Sequence, residues 1–262
     1  ITTEAERRSI ALHEAGHASI SWLLEYANPL IKVTIVPRGR ALGAAWYLPE
    51  ERQITTKEQM LDEMCATLGG RAAEDLFLNR ISTGAMNDLE RVTKQAYGMI
   101  AYLGMSDKLP NLCYYNNEEY SFNRPYSEKT AELIDTEVKN MVNEQYERAK
   151  KILSEHREGH NQLAQLLIDK EVIFAEDVER IFGKRPWASR SEEIMAAKES
   201  QEAAEAEKRL AEEGKEKEKE IKEEEAENST EEKETTEAKI TVEGKVSIEK
   251  KVISAEGGKK TT

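Results

Sequence analysis

The 262-residue chain has two cysteines, Cys65 and Cys113. Neither has a Cys or His partner at ligand spacing, and no secretory signal is visible. A disulfide framework and a thiolate metal site are therefore excluded, and free thiols in a reducing compartment are expected. No apolar run approaches the roughly 18–20 residues that a membrane helix needs. There is no G-x-x-x-x-G-K-[ST] loop, so these residues do not build a P-loop ATPase. The charged residues sum to −13 at neutral pH, which argues against nucleic acid as the main partner and against attraction to anionic lipid. No aromatic residue follows Trp187. A segment without aromatics cannot easily offset the entropy of ordering itself. This divides the chain into a globular part, residues 1–188, and a low-complexity charged tail, residues 189–262, expected to be disordered or a solvated acidic helix.

Histidine is scarce too, with four in all, yet two of them stand in Leu12-His13-Glu14-Ala15-Gly16-His17-Ala18. On an α-helix, residues four apart are separated by about 400° of rotation, so both imidazoles leave one face. Glu14 stands beside the first ring and can hold a water against the same ion. This is the H-E-x-x-H pattern, with histidines as zinc ligands and glutamate as general base. Acidic Glu4 and Glu6 suit a helix start, and Asn28-Pro29 is expected to stop the helix. Ala15 and Gly16 leave room for another backbone or a substrate.

A catalytic zinc usually takes three protein ligands and leaves one position open. The extended pattern H-E-x-x-H-x-x-G-x-x-H would need glycine and histidine where this chain has Ile20 and Leu23, so that class is excluded. The third ligand is then a carboxylate, with Asp62, Glu74, Asp75, Asp88 and Glu90 as candidates. His156 and His160 are also four apart, but their glutamate is misplaced and Gly159 disfavours a helix there. A surface or helix-end role is expected for both.

The expected fold is mainly α, with a small β-sheet near its start. Ile31 to Val36 reads as a strand, and Gly43-Ala44-Ala45-Trp46-Tyr47-Leu48 as a second one ended by Pro49. By pattern alone these form an ordinary hairpin with two packed aromatics. Thr56 caps a helix from Lys57 to Phe77, and Asp88 opens another that ends near Gly104. Ser127 starts a long helix toward Ser154 with one apolar stripe. Leu163 to Ile168 form a shorter helix, and Ala175 to Phe182 a last one, with Gly183 just past its end. In the tail, Ile240 to Ile248 alternates like a strand with nothing to pair with.

Further motifs follow the histidine pair in order. They are Lys32-Val33-Thr34-Ile35-Val36-Pro37-Arg38-Gly39-Arg40-Ala41-Leu42-Gly43, then Leu48-Pro49, Gly69-Gly70-Arg71-Ala72-Ala73-Glu74, Ser82-Thr83-Gly84-Ala85-Met86-Asn87-Asp88-Leu89-Glu90-Arg91 and Tyr126-Ser127-Glu128-Lys129-Thr130. Across residues 1–188 the sequence resembles the peptidase domain of FtsH, the membrane-anchored AAA+ zinc protease family. The resemblance implies one Zn2+ per chain held by His13, His17 and Asp88, with Glu14 as the catalytic base and Glu74 supporting a ligand from behind. It implies that residues 43–47 form a substrate-holding edge strand beside the zinc.

The implied function is a zinc metalloendopeptidase that hydrolyses peptide bonds of unfolded polypeptides through a zinc-activated water. The parent protein would be a homohexamer in the bacterial inner membrane with its peptidase domain facing the cytoplasm. ATP and Mg2+ would act only through a motor domain, and the membrane only through segments absent from this sequence, which reads as a fragment. The alternatives are a non-catalytic hexamer-assembly module and a zinc hydrolase of another substrate class, such as a deformylase.

Overall fold

The structure is a computed structural model that describes residues 2–39, 41–48, 52–114 and 124–256. Arg40 of the glycine-rich motif and Pro49, the expected strand stop, lie outside the described residues. Backbone contacts divide the chain into two units, residues 1–191 and residues 192–262.

Helix α1 (Glu4–Leu23) begins at Thr3, whose hydroxyl accepts from the Glu6 amide while the Glu6 carboxylate accepts from the Thr3 amide. These reciprocal bonds satisfy amides that a helix start leaves free. Every residue from Ala11 to Ser21 is buried. The central turns carry no polar stripe because the helix is covered on all sides, and the small side chains let neighbours close in. The helix stops at Leu23, well before Asn28-Pro29. Leu24 turns extended, and the Arg185 guanidinium donates to the carbonyls of Trp22, Leu24, Glu25 and Ala27. A side chain distant in sequence thus satisfies the end that proline was expected to define.

Strands β1 (Leu30–Thr34), β2 (Ala44–Tyr47) and β5 (Val172–Phe174) form an antiparallel sheet in the order β2-β1-β5. Among the described residues, β2 is an edge strand. Val33 and Ile173 point inward onto α1 in a cluster with Leu12, Ala15, Leu163 and Leu167. A two-stranded ribbon, β3 (Met105–Ser106) with β4 (Leu109–Pro110), lies apart from it.

Helix α2 (Lys57–Ala73) is capped by Thr56 and Gln59 and continues as one π-helical turn, Glu74–Leu78. It crosses α1 glycine on glycine. A Cβ on Gly16 would lie 2.3 Å from the Gly69 carbonyl oxygen, and one on Gly69 would lie 2.8 Å from that of Gly16. After a 3-10 turn at Thr83–Ala85, α3 (Met86–Tyr97) starts before the expected point, so Asp88 lies within its first turn rather than capping it. Helices α4 (Glu128–Glu155), α5 (Arg157–Lys170) and α6 (Ala175–Phe182) complete the unit, with Gly183 at φ 83° past the last.

Three further expectations are overturned. Helix α5 runs straight through Gly159, because the missing side chain admits the Phe182 ring; a Cβ there would sit 2.5 Å from Phe182 Cε1. His160 is fully buried, stacked on Phe77 at 4.3 Å with Nε2 donating to the Leu12 carbonyl at 3.0 Å. Burial also pushes its pKa down, which keeps the ring neutral. His156 does lie at the α4–α5 junction. In the second unit, residues 240–248 are helical within α7 (Arg190–Glu256), since an isolated strand leaves its backbone groups unpaired. From Ser191 onward, side chains are exposed along this helix wherever they are described.

Replacing Gly16 by valine is expected to destabilise the domain by about 1–3 kcal/mol through overpacking at the crossing. Urea unfolding checks this, and an exposed control such as Gly214→Val, with nothing within 4 Å of a Cβ, should cost less.

Candidate metal centre

The α1–α2 crossing sets the site. On α1, His13 stands three residues before Gly16 and His17 directly after it, and their Nε2 atoms turn toward each other, 3.1 Å apart. Asp88, delivered by the first turn of α3, places Oδ2 3.2 Å from His13 Nε2 and 3.1 Å from His17 Nε2. The three groups offer one donor atom each within 4.8 Å of one another, and this is the one such group of three or more found among the described residues.

The other ring nitrogens are assigned by their neighbours. His17 Nδ1 lies 2.9 Å from the Ala66 carbonyl, to which it donates. His13 Nδ1 faces Glu74 Oε1 at 3.5 Å, the outer limit of a hydrogen bond, and has no closer partner. Both arrangements leave Nε2 as the nitrogen that faces Asp88 and the space between the three groups, the one a metal-binding imidazole would present once its proton is displaced. A Cβ on Gly70 would fall 2.4 Å from His13 Nε2, so α2 provides a slot that only glycine leaves open for the ring.

The electrostatics call for a cation. Burial disfavours charge on His13, yet hydrogen bonds to Asp88 and Glu74 outweigh it and lift the pKa to about 9. Burial likewise acts to raise Asp88, but hydrogen bonds from both imidazoles hold it well below the usual carboxylate range. Burial raises Glu14, with the two histidines opposing that rise. Two nitrogens and a carboxylate oxygen converging beside further buried acids match the borderline-soft donor set that zinc prefers.

The site opens into a cleft of about 650 Å³ lined by the histidine pair, Glu14, Glu74, Asp88 and Arg91, among others. Gly43, Ala44, Ala45 and Tyr47 line it as well, whereas Trp46 does not. Trp46 instead lies against Lys32 and Arg38, whose charged groups are 4.7 and 5.6 Å from its ring. Gly43 fits against the Glu14 carboxylate; a Cβ there would lie 2.8 Å from Oε1. The remaining third-ligand candidates are held elsewhere. Asp62 pairs with Arg148, Asp75 with Tyr146 and Lys150, and Glu90 with Lys94.

The sequence profile of peptidase family M41 matches residues 1–181. The chain belongs to peptidase family M41. This M41 chain is 72% identical to an ATP-dependent zinc metalloprotease FtsH of Parabacteroides distasonis, over 76% of its own length and 29% of the relative's. It is 50% identical to the protein of that name in Rhodothermus marinus, over 71% and 28%. It is 44% identical to the mouse mitochondrial inner membrane m-AAA protease component AFG3L2, over 71% and 23%. The chain therefore spans less than a third of the length of these relatives. It carries the peptidase domain of a metalloprotease of the FtsH kind. Among the described residues, no helix is long and apolar enough to cross a membrane.

Sequence reasoning missed three parts of this M41 site: the Ala66 carbonyl, the Gly70 slot and Ser82. The adjacent glycines 69 and 70, inside a helix they weaken, were the available signal for close approach. A Gly70→Ala variant is expected to displace the His13 ring. Its imidazole resonances should shift in NMR spectra while those of His156, outside this site, stay in place.

Proposed function

We propose that the domain is a zinc metalloendopeptidase acting on unfolded polypeptide. The observation that carries this reading is the convergence of His13, His17 and Asp88 in an open cleft, between the Glu14 carboxylate and a sheet edge. His13, His17 and Asp88 would hold the metal. When bound, zinc supplies Lewis acidity, bringing the pKa of water from about 15.7 toward 7 and polarising a carbonyl. Glu14 is the proton carrier. Its raised pKa suits it to take a proton from the attacking water and return it to the departing amine nitrogen. Glu74 and the Ala66 carbonyl hold the imidazoles in the required tautomer.

Strand β2 is the docking edge. Its unpaired backbone groups suit an extended chain, and main-chain pairing reads no particular side chain, as broad specificity requires. A folded substrate cannot offer such a strand, so the domain alone should cut only unfolded chains or peptides. In the parent protein, a homohexamer, the domain would face the cytoplasm from the bacterial inner membrane. There a motor using ATP and Mg2+ would feed it misfolded polypeptide. The name ATP-dependent zinc metalloprotease of one relative supports the coupling to ATP, and the mouse relative's name, mitochondrial inner membrane m-AAA protease component, supports a membrane setting.

Glu14→Gln should retain zinc by elemental analysis and lose roughly 10²–10⁴-fold in casein hydrolysis, since an amide cannot accept the proton. Full activity in that variant would remove Glu14 from the mechanism. His17→Ala and Asp88→Ala should lose the metal itself. Parent casein hydrolysis should stop with a chelator and return with zinc. A chain that binds zinc but cuts neither casein nor formyl-peptides would be a non-catalytic assembly module, and one that cuts only formyl-peptides a deformylase.

A further inference from the structure

Glu74 is 2% exposed, and a carboxylate that deeply buried needs donors. Its one short bond comes from Ser82, whose hydroxyl donates to Oε1 at 2.6 Å. The same oxygen is the one facing His13 Nδ1. Arg71 stands off at 3.9 Å from Oε2, which has no closer partner. Ser82 thus completes a file that begins at the Gly84 amide, which donates to Ser82 Oγ at 3.1 Å, and passes through Glu74 to the imidazole.

Ser82 is also tied down through its backbone. Arg71 of α2 donates to the Ser82 carbonyl at 3.0 Å. From there the chain enters the Thr83–Ala85 turn that Ser82 caps, then α3, and reaches Asp88. The residue therefore joins α2 to the segment that delivers the one ligand not on α1. Its own conformation is extended, at φ −126° and ψ 174°, which a β-branched residue adopts without strain.

We propose that Ser82 is a positioning residue for the metal centre, acting on both sides of it at once. Through Glu74 it holds the carboxylate that orients His13. Through its cap and backbone it fixes how close Asp88 comes to the histidine pair. The inference rests on the zinc reading above and names a residue outside the ligand set. Without the hydroxyl, Glu74 keeps its burial but loses its closest donor, so it turns toward Arg71 and away from the imidazole. The 82–88 segment is then held to α2 through backbone alone.

The test is zinc affinity, measured by competition with a chromophoric chelator on the whole chain, for the parent, Ser82→Ala and Ser82→Thr. Melting of the zinc-free proteins is followed in parallel. Ser82→Ala is expected to bind zinc about 10–100-fold more weakly, the usual effect of losing a partner behind a metal ligand. Ser82→Thr, which keeps the hydroxyl, should return to within about threefold of the parent, by the same scale. Without zinc, Ser82→Ala is expected to melt below the parent, since a buried carboxylate and a helix start each lose a partner, and Ser82→Thr close to it, so affinities are compared at a temperature where all three zinc-free proteins are folded. Parent-like affinity in Ser82→Ala would overturn the proposal. So would a loss that threonine does not restore, because the hydroxyl would then not be what positions the site. A parent chain that binds no zinc would sink the underlying zinc reading instead, whatever the variants do.

Discussion

The metal centre depends on the contact between two helix backbones at Gly16 and Gly69. Ordinary helix pairs keep their axes 8–10 Å apart because side chains intervene. Here neither residue has one, and each glycine's missing Cβ would fall within 3 Å of the other backbone's carbonyl oxygen. That approach lets the Ala66 carbonyl reach His17 and lets Glu74, at the far end of α2, reach His13. With bulkier residues at the crossing, both imidazoles would lose the acceptors that set their tautomers. The cost is two glycines in helix interiors, each worth roughly 1 kcal/mol of helix propensity. Burial of α1 on every side offsets it.

The rest of the domain holds this pair of helices in place. His160 donates to the carbonyl of Leu12, immediately before His13, and its ring stacks on Phe77 in the π-helical turn that begins at Glu74. Arg185 gathers four carbonyls at the end of α1. Gly43 brings the start of the edge strand against Glu14, so the proposed docking edge and the proposed proton carrier share one contact. The site is therefore assembled from α1, α2, α3 and β2, with helices α5 and α6 and the segment after them bracing it from behind.

Much of this was legible in the sequence because it is local. The capping residues Thr56 and Ser127 start helices where pattern places them, since a cap acts over three residues. The expected strands appear as β1 and β2, and the apolar stripe of the long helix is buried at Ala131, Ile134, Val138, Met141, Ala149 and Leu153. What failed was non-local. Asn28-Pro29 was the expected helix stop, but Arg185 satisfies the end from beyond α6. Gly159 signalled a break, but Phe182 needed its space. His160 looked like surface because nothing nearby in sequence reveals that Phe77 and Leu12 surround it. Alternation from Ile240 to Ile248 suggested a strand, yet a strand without a neighbour cannot satisfy its backbone, and a helix can.

By itself the sequence determined the chemistry available and half of its geometry. Two imidazoles four residues apart, with a carboxylate between them, leave one face of a helix once the segment is helical, and the helix itself follows from local signals. Which acid joins them was beyond any local rule, since five carboxylates were open to pattern alone and only the likeness to relatives favoured one. The fold separates the five. It tied Asp62, Asp75 and Glu90 to cations or hydroxyls elsewhere, aimed Glu74 at the back of a ring, and brought Asp88 to the front through a turn anchored on α2. Selection among chemically equal groups depends on distances between segments far apart in sequence, and only packing sets those distances.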